Sequence, residues 1–235
     1  MTEEGDHGHL PLMTKTRSPR KRPRSRAPRR TRLSPGEIRA NLYGEALSAF
    51  RNRGFEEVTV SELTRVTGVA KGTFFNHFPT KDHVLSAYLE EVWASAEEEV
   101  AGEGLVGTDA IVRIVDAVGR ALESDPPLAR ALGPRLGSLP VSTSLDGSTD
   151  PRPLLDLFRD RFRQRLAESL PFAIPLQEIG DGDLATLLVG SLAEGIREGA
   201  GPGGDSRVTL VPALARGAVF LIRSAGFAAP DVPHS

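Results

Sequence analysis

Residues 59–81 read TVSELTRVTGVAKGTFFNHFPTK, and this stretch decides the fold. Thr59 followed by Glu62 three residues later is a capping box, in which each side chain satisfies the other residue's backbone N–H. Val60, Leu63 and Val66 recur at three-residue spacing and predict one apolar stripe on a helix of about two turns. Gly68 stops that helix, because glycine enters the left-handed conformation without a Cβ clash. Val69 is expected to tuck back between helices. A second short helix is predicted over 70–76, with Phe74 and Phe78 spaced i, i+4 on its buried side. Pro79 ends it, and Thr80 is placed to cap the helix that follows. Helix, glycine turn, helix is the unit that sets its second member in the DNA major groove.

Working outward, Ser34-Pro35-Gly36-Glu37 is another helix start, with a cap, a proline at the first helical position and a glutamate at the third. Ile38, Leu42, Ala46, Ala49 and Phe50 form its buried stripe, Gly54 terminates it and Phe55 returns to the core. From Thr80 a longer helix carries Val84, Leu85, Tyr88, Leu89, Val92, Trp93, Ala96 and Val100 on one side. Its Glu90, Glu91, Glu97, Glu98 and Glu99 read as a solvated face. Ile111, Ile114, Val115, Val118 and Leu122 give an amphipathic stripe that Pro126-Pro127 breaks, and Leu128, Ala131, Leu132 and Leu136 suggest a short sixth helix. Residues 137–153 are rich in Ser, Gly, Pro and Thr and read as a mobile loop. Leu154, Phe158, Phe162 and Leu166 face inward on a seventh helix, and residues 171–182 read as a turn-rich connection. Leu184, Leu187, Leu188, Ser191, Leu192, Gly195 and Ile196 define an eighth helix. Leu210, Leu214, Ala218, Leu221, Ile222 and Ala225 define a ninth, whose Val211, Val219 and Phe220 widen its apolar surface beyond one stripe. A terminal helix apolar around most of its circumference is expected to be covered on a second side by another subunit. The predicted fold is all-α with about nine helices.

Composition bounds the function classes. A chain of 235 residues with 39% hydrophobic and 26% charged residues can bury a real core. No apolar run reaches the roughly 18 residues that a membrane-spanning helix requires, and no apolar segment follows the basic N-terminus as a signal peptide would. Cysteine is absent, which removes disulfides and thiolate zinc sites and fits a cytoplasmic location. The net charge of −2 hides an asymmetry: residues 1–32 hold ten Lys/Arg against three acids, so the remainder is acidic. With prolines at 19, 23 and 28 and few apolar residues, 1–32 is expected to be a disordered basic arm that meets a polyanion. The five histidines, at 7, 9, 77, 83 and 234, form no metal or catalytic constellation, and no phosphate loop or nucleophile elbow is present. Neither enzyme activity, nor a cofactor, nor a metal is expected.

T-V-S-E-L followed by T-G-V-A-K-G-T-F-F-N-H-F-P-T-K resembles the DNA-binding signature of tetracycline-repressor-like (TetR-like) bacterial regulators. The match is nearly unbroken from Thr59 to Leu85, with Gly68, Gly72, Thr73, Phe78 and Lys81 in register. The resemblance implies a three-helix DNA-binding head at 33–80, a helical effector-binding and dimerisation domain at 81–227 and a tail at 228–235. It implies that Thr59 and Lys81 hold phosphates and that Ala70, Lys71, Gly72, Thr73 and Asn76 face the groove. Phe75 and His77 lie beside them. Lys71 can donate to guanine O6/N7 and Asn76 can pair with adenine. Position 75 is usually tyrosine in such motifs, so Phe75 keeps the ring and loses a hydroxyl; Ala70 stands where serine, a better cap, is frequent. Arg29, Arg30 and Arg32 in the arm are expected to run along the DNA backbone or enter a minor groove.

So small a head implies a homodimer on a palindromic double-stranded operator, paired through Leu188, Leu192, Gly195, Leu214, Ala218 and Leu221. The resemblance further implies a small-molecule effector in a cavity among helices 4–8, with Tyr88, Trp93, Phe158 and Phe162 as lining residues. The expected function is a repressor released by that effector. A regulator without an effector, or an activator, is the alternative. An enzyme with a helical body and a basic-arm protein binding membranes or RNA are the competing classes.

Overall fold

In the computed structural model, residues 33–142, 152–168, 180–199 and 210–224 are described. The chain divides into Met1–Arg32 and Leu33–Ser235; the arm, including Arg29, Arg30 and Arg32, lies outside the described residues, as does most of the connection before the eighth helix.

Nine α-helices make up the described part: α1 Pro35–Arg53, α2 Val60–Thr67, α3 Lys71–His77, α4 Asp82–Glu103, α5 Gly107–Glu123, α6 Pro126–Leu132, α7 Leu154–Ala167, α8 Asp181–Gly199 and α9 Leu210–Ser224. A 3-10 segment, Gly133–Ser138, continues α6. Among the described residues no strand forms, only an isolated bridge between Pro140 and Pro153.

The local start signals act as the sequence predicts. Ser34 accepts from the Glu37 N–H at 3.2 Å while its own N–H donates to Glu37 at 2.7 Å. Thr59 and Glu62 do the same for α2. Gly68 ends α2 at φ 70°, in the left-handed region. Helix α3 runs one residue later than expected, because Ala70 remains extended at ψ 148° and offers no side-chain cap.

Three expectations are corrected. Val66 is 60% exposed, and Thr64 at 5% takes the inner face of α2 instead. Three residues turn a helix by about 300°, so a strict i+3 row drifts off the buried face, which follows Val60, Leu63, Thr64 and Thr67. Thr80 does not cap α4; its hydroxyl shares a 2.9 Å hydrogen bond with Nδ1 of buried His83, and α4 begins without a side-chain cap. The glutamates of α4 are not a merely solvated face. Glu91 accepts from the Tyr43 hydroxyl of α1 at 2.6 Å, and Glu90 accepts from the Ser142 N–H at 2.7 Å. Glu97 pairs with Arg161 of α7 at 2.9 Å, and Glu99 pairs with Arg113 and Arg120 of α5.

In the body, α5 is the central helix. Ile111, Ile114, Val115, Val118 and Leu122 are at most 2% exposed, but Ala110, Val112, Ala117 and Gly119 are buried too. It packs on α9, α4, α7 and α6, so its burial exceeds one stripe. Pro126 and Pro127 start α6 as first-turn prolines rather than only ending α5. The ends of the 137–153 loop are joined: Leu154 N–H donates to Leu139 O at 2.8 Å and Val141 N–H to Arg152 O at 3.2 Å. Residues 143–151 lie outside the described part.

Candidate nucleic-acid interface

The head is built around Phe74 and Phe78, both fully buried. Their rings lie 5.7 Å apart, and Phe78 stacks on Tyr43 of α1 at 6.4 Å. Burying each ring contributes about 1.5–3 kcal/mol, enough to hold a seven-residue helix that would not form alone. Arg39 of α1 completes the hold: it donates to His77 O at 2.7 Å and its guanidinium lies 4.3 Å over the Phe78 ring. A cation at the negative C-terminus of α3 satisfies an end carbonyl and favours the helix dipole. Arg39 is absent from the sequence-based site; 38 positions separate it from its partner, and no local spacing signals such a pair.

With Phe74 and Phe78 turned inward, α3 exposes Lys71, Gly72, Phe75 and Asn76, with Ala70 exposed at its start and Thr73 and His77 half-buried. Phe75 is 42% exposed, and the Lys71 ammonium lies 6.0 Å from its ring centre. A Cβ on Gly72 would meet no atom of the described residues within 4 Å, and its φ is not in the left-handed region. The fold therefore places no demand for glycine there. Burial and the neighbouring Arg39 charge push the His77 imidazole below its usual range, so it stands neutral near pH 7.

Thr59 and Lys81 are both engaged within the protein. The Thr59 hydroxyl donates to Glu62 at 2.9 Å, and this cap, with Arg53 adding to it, lowers Glu62 to about 2. The Lys81 ammonium donates to Phe55 O and Val58 O, each at 2.8 Å, and sits 4.3 Å from the Phe55 ring centre. Burial lowers its pKa. Lys81 thus ties the start of α4 to the α1–α2 connection, with two of its three N–H bonds already used.

The residues expected to line an effector site fall in two places. Trp93 stacks on Phe158 at 4.1 Å and 5°, with Phe162 at 5.0 Å; all three are at most 1% exposed. The Trp93 indole N–H has no hydrogen-bond partner among the described residues. Tyr88 instead faces a groove of about 640 Å³ between α1, α4 and α5, beside Tyr43, Arg51, Glu91 and Asp125. Burial, with Asp125 adding to it, pushes the Tyr88 hydroxyl up to about 12.

Most of the residues expected to pair two copies are buried within the single chain. Leu188, Leu192, Leu214 and Ala218 are 1–4% exposed in the single chain. They pack α8 and α9 against each other and against α5 and α7 of their own protomer. Ser191 and Gly217 also serve this internal approach, since a Cβ at Gly217 would lie 3.3 Å from the Ser191 hydroxyl. Gly195 and Leu221 are half-buried. Among the described residues of α8 and α9, the large apolar side chains that stand open are Leu187 at 46% and Phe220 at 70%, on a shallow groove shared with Gly190 and Leu221.

Residues 42–88, from α1 into α4, match the family described as bacterial regulatory proteins, tetR family. The HTH-type transcriptional repressor AcnR of Corynebacterium efficiens is 28% identical over 177 residues, covering 70% of this chain and 89% of that protein. The HTH-type transcriptional regulator TcmR of Streptomyces glaucescens is 35% identical over 94 residues, 38% of this chain and 41% of that protein. Thermus thermophilus FadR, a TetR-family transcriptional repressor solved with lauroyl-CoA, superposes with a TM-score of 0.61 at 20% identity, over 84% of this chain and 100% of that one. The head at 42–88 thus matches the bacterial regulatory proteins of the tetR family, and the all-helical body behind it is similar in fold to that of a TetR-family repressor.

Proposed function

We propose that the chain is a homodimeric repressor, working in the cytoplasm, that binds a palindromic operator through α3 and leaves it when a small molecule occupies the body. The observation that carries this reading is the division of α3: Phe74 and Phe78 are fully buried while Lys71, Gly72, Phe75 and Asn76 stand open. Lys71 and Asn76 bring donors that suit guanine and adenine edges. Gly72, free of any steric role in the protein, allows the backbone to approach DNA closely. Thr73 adds a hydroxyl and a methyl. Ala70, Phe75 and His77 border the groove, and the exposed start of α2 at Thr59 offers backbone N–H groups to a phosphate. Lys81 acts chiefly by holding that start in place. Arg29, Arg30 and Arg32 add salt-dependent backbone contacts.

Two copies pair over Leu187 and Phe220 at the α8–α9 surface, which sets two heads about one helical turn apart. The effector reading draws on FadR, solved with lauroyl-CoA, and on the unpartnered Trp93 N–H, a buried donor that a ligand oxygen would satisfy.

The test is selection of DNA from a random pool by the purified protein. A palindrome is expected, bound at least about a hundredfold more tightly than random duplex. Lys71→Ala and Thr73→Ala are expected to relax the preference at defined positions; unchanged preference in both would refute the assigned face. Phe220→Glu is expected to sediment as a folded monomer with operator binding weakened more than about tenfold. A persistent dimer would remove the proposed pairing surface.

A further inference from the structure

The geometry points to Arg135 as the residue through which the body fixes the angle of the DNA-reading head, a positioning role that rests on the dimeric operator reading above. Arg135 belongs to the 3-10 segment Gly133–Ser138, which packs on α6, α7 and α8 of the body. Its guanidinium leaves that surface and ends on the head. Cζ lies 4.3 Å from the ring centre of Phe55, one N–H group pairs with Glu56, and Nε stands 3.6 Å from Asp82. A hydrogen bond to Ala131 O at 3.0 Å anchors the same side chain to α6.

Each of those targets controls the orientation of a helix. Phe55, 7% exposed and 4.9 Å from Phe50, opens the connection from α1 to α2. Val58, fully buried, and the Thr59 cap complete that connection. Asp82 is the first residue of α4. Lys81 grips the same connection from the α4 side, through the carbonyls of Phe55 and Val58. One planar cation from the body therefore meets the entry to α2 and the entry to α4 together. The guanidinium lays its face on the Phe55 ring while its edge reaches both carboxylates, so a single planar side chain holds both contacts.

A parallel tie, Arg51 Nε to Asp125 at 2.8 Å, joins the end of α1 to the α5–α6 junction. By contrast, Arg113 pairs with Glu99, Glu103 and Asp116, all within the body, and leaves the head untouched. A shift of the 3-10 segment must carry the α1–α2 connection with it or release Arg135. In a dimer, the consequence is a change in the spacing at which the two heads meet DNA.

The experiment uses the full-length protein and a palindrome selected from random DNA, compared with the same palindrome carrying one added central base pair and with a single half-site. The unaltered protein is expected to lose at least about tenfold in affinity on the insertion. Arg135→Gln is expected to bind the parent duplex about tenfold more weakly, with the insertion penalty reduced to less than about threefold and half-site binding within about twofold of normal. Arg135→Lys should recover part of the penalty. Glu56→Gln, at a side chain 71% exposed and therefore harmless to folding, should move the penalty in the same direction by less. A full insertion penalty in Arg135→Gln at normal melting temperature would overturn the assignment, as would an equal loss on the half-site. Should Arg135→Gln fail to fold, an unchanged penalty in Glu56→Gln overturns it. If selection enriches no palindrome, the operator reading falls, and this role falls with it.

Discussion

Helices α3 and α5 use their residues in opposite ways. In α5, buried residues occur around most of the helix, because four other helices pack on it. In α3, Phe74 and the adjacent Phe78 secure the helix, while Lys71, Gly72, Phe75 and Asn76 stand open. The fold thus explains almost every residue of α5 and leaves half of α3 without a structural reason. Residues that the fold leaves unexplained, on a helix held rigidly by two rings and Arg39, are those available for recognition.

The largest test of this contrast is core truncation in each region. Phe74→Ala is expected to cost about 3–5 kcal/mol and Ile114→Ala about 2–5 kcal/mol, measured by chemical denaturation. A small loss at Phe74 would mean that α3 is held by something other than its rings. Gly72→Ala sharpens the contrast from the other side. It should leave stability unchanged or raise it by up to about 1 kcal/mol, since nothing in the described residues opposes a Cβ there. Operator affinity should nevertheless fall about tenfold or more, read by a binding isotherm.

Thr59→Ala is expected to cost about 1 kcal/mol through loss of the cap, with a pH signature. Glu62 is held at about 2 in the folded protein against an ordinary 4.5, first by the Thr59 backbone and side chain. A depressed carboxyl stabilises the fold above its unfolded value and loses that contribution as pH falls toward the folded one. The stability gap between the parent and Thr59→Ala should therefore narrow between about pH 4.5 and 2; a gap that stays constant would separate Glu62 from the cap. Phe75→Tyr is the smallest test: a restored hydroxyl at a side chain 42% exposed should tighten operator binding about two- to tenfold with little change in stability.

What can be read from sequence follows the range of the interaction. The capping boxes at Ser34 and Thr59, the stop at Gly68 and the inward pair Phe74/Phe78 are all set within four residues, and each is found in place. Val66 departs from expectation because three apolar residues cannot define the face of a two-turn helix. The α4 glutamates read as solvated because Tyr43, Arg113, Arg161 and Ser142 lie far off in sequence. The same limit conceals Arg39 and Arg135. For α8 and α9, apolar spacing reports burial but not by which chain: Leu188 and Leu214 are covered by their own protomer, whereas Phe220 is not.

Helix α4 is fastened to α1, α5, α7 and the Val141–Ser142 segment along its length. A rod so braced is held as one piece with the helices around it. Its 22 residues span about 33 Å, so a pivot of about 5° at the Glu103 end sweeps the Lys81 end through about 3 Å. That displacement is close to the roughly 3.4 Å step between successive base pairs, so the length of α4 alone sets a few degrees of tilt on the scale of the DNA's own ruler.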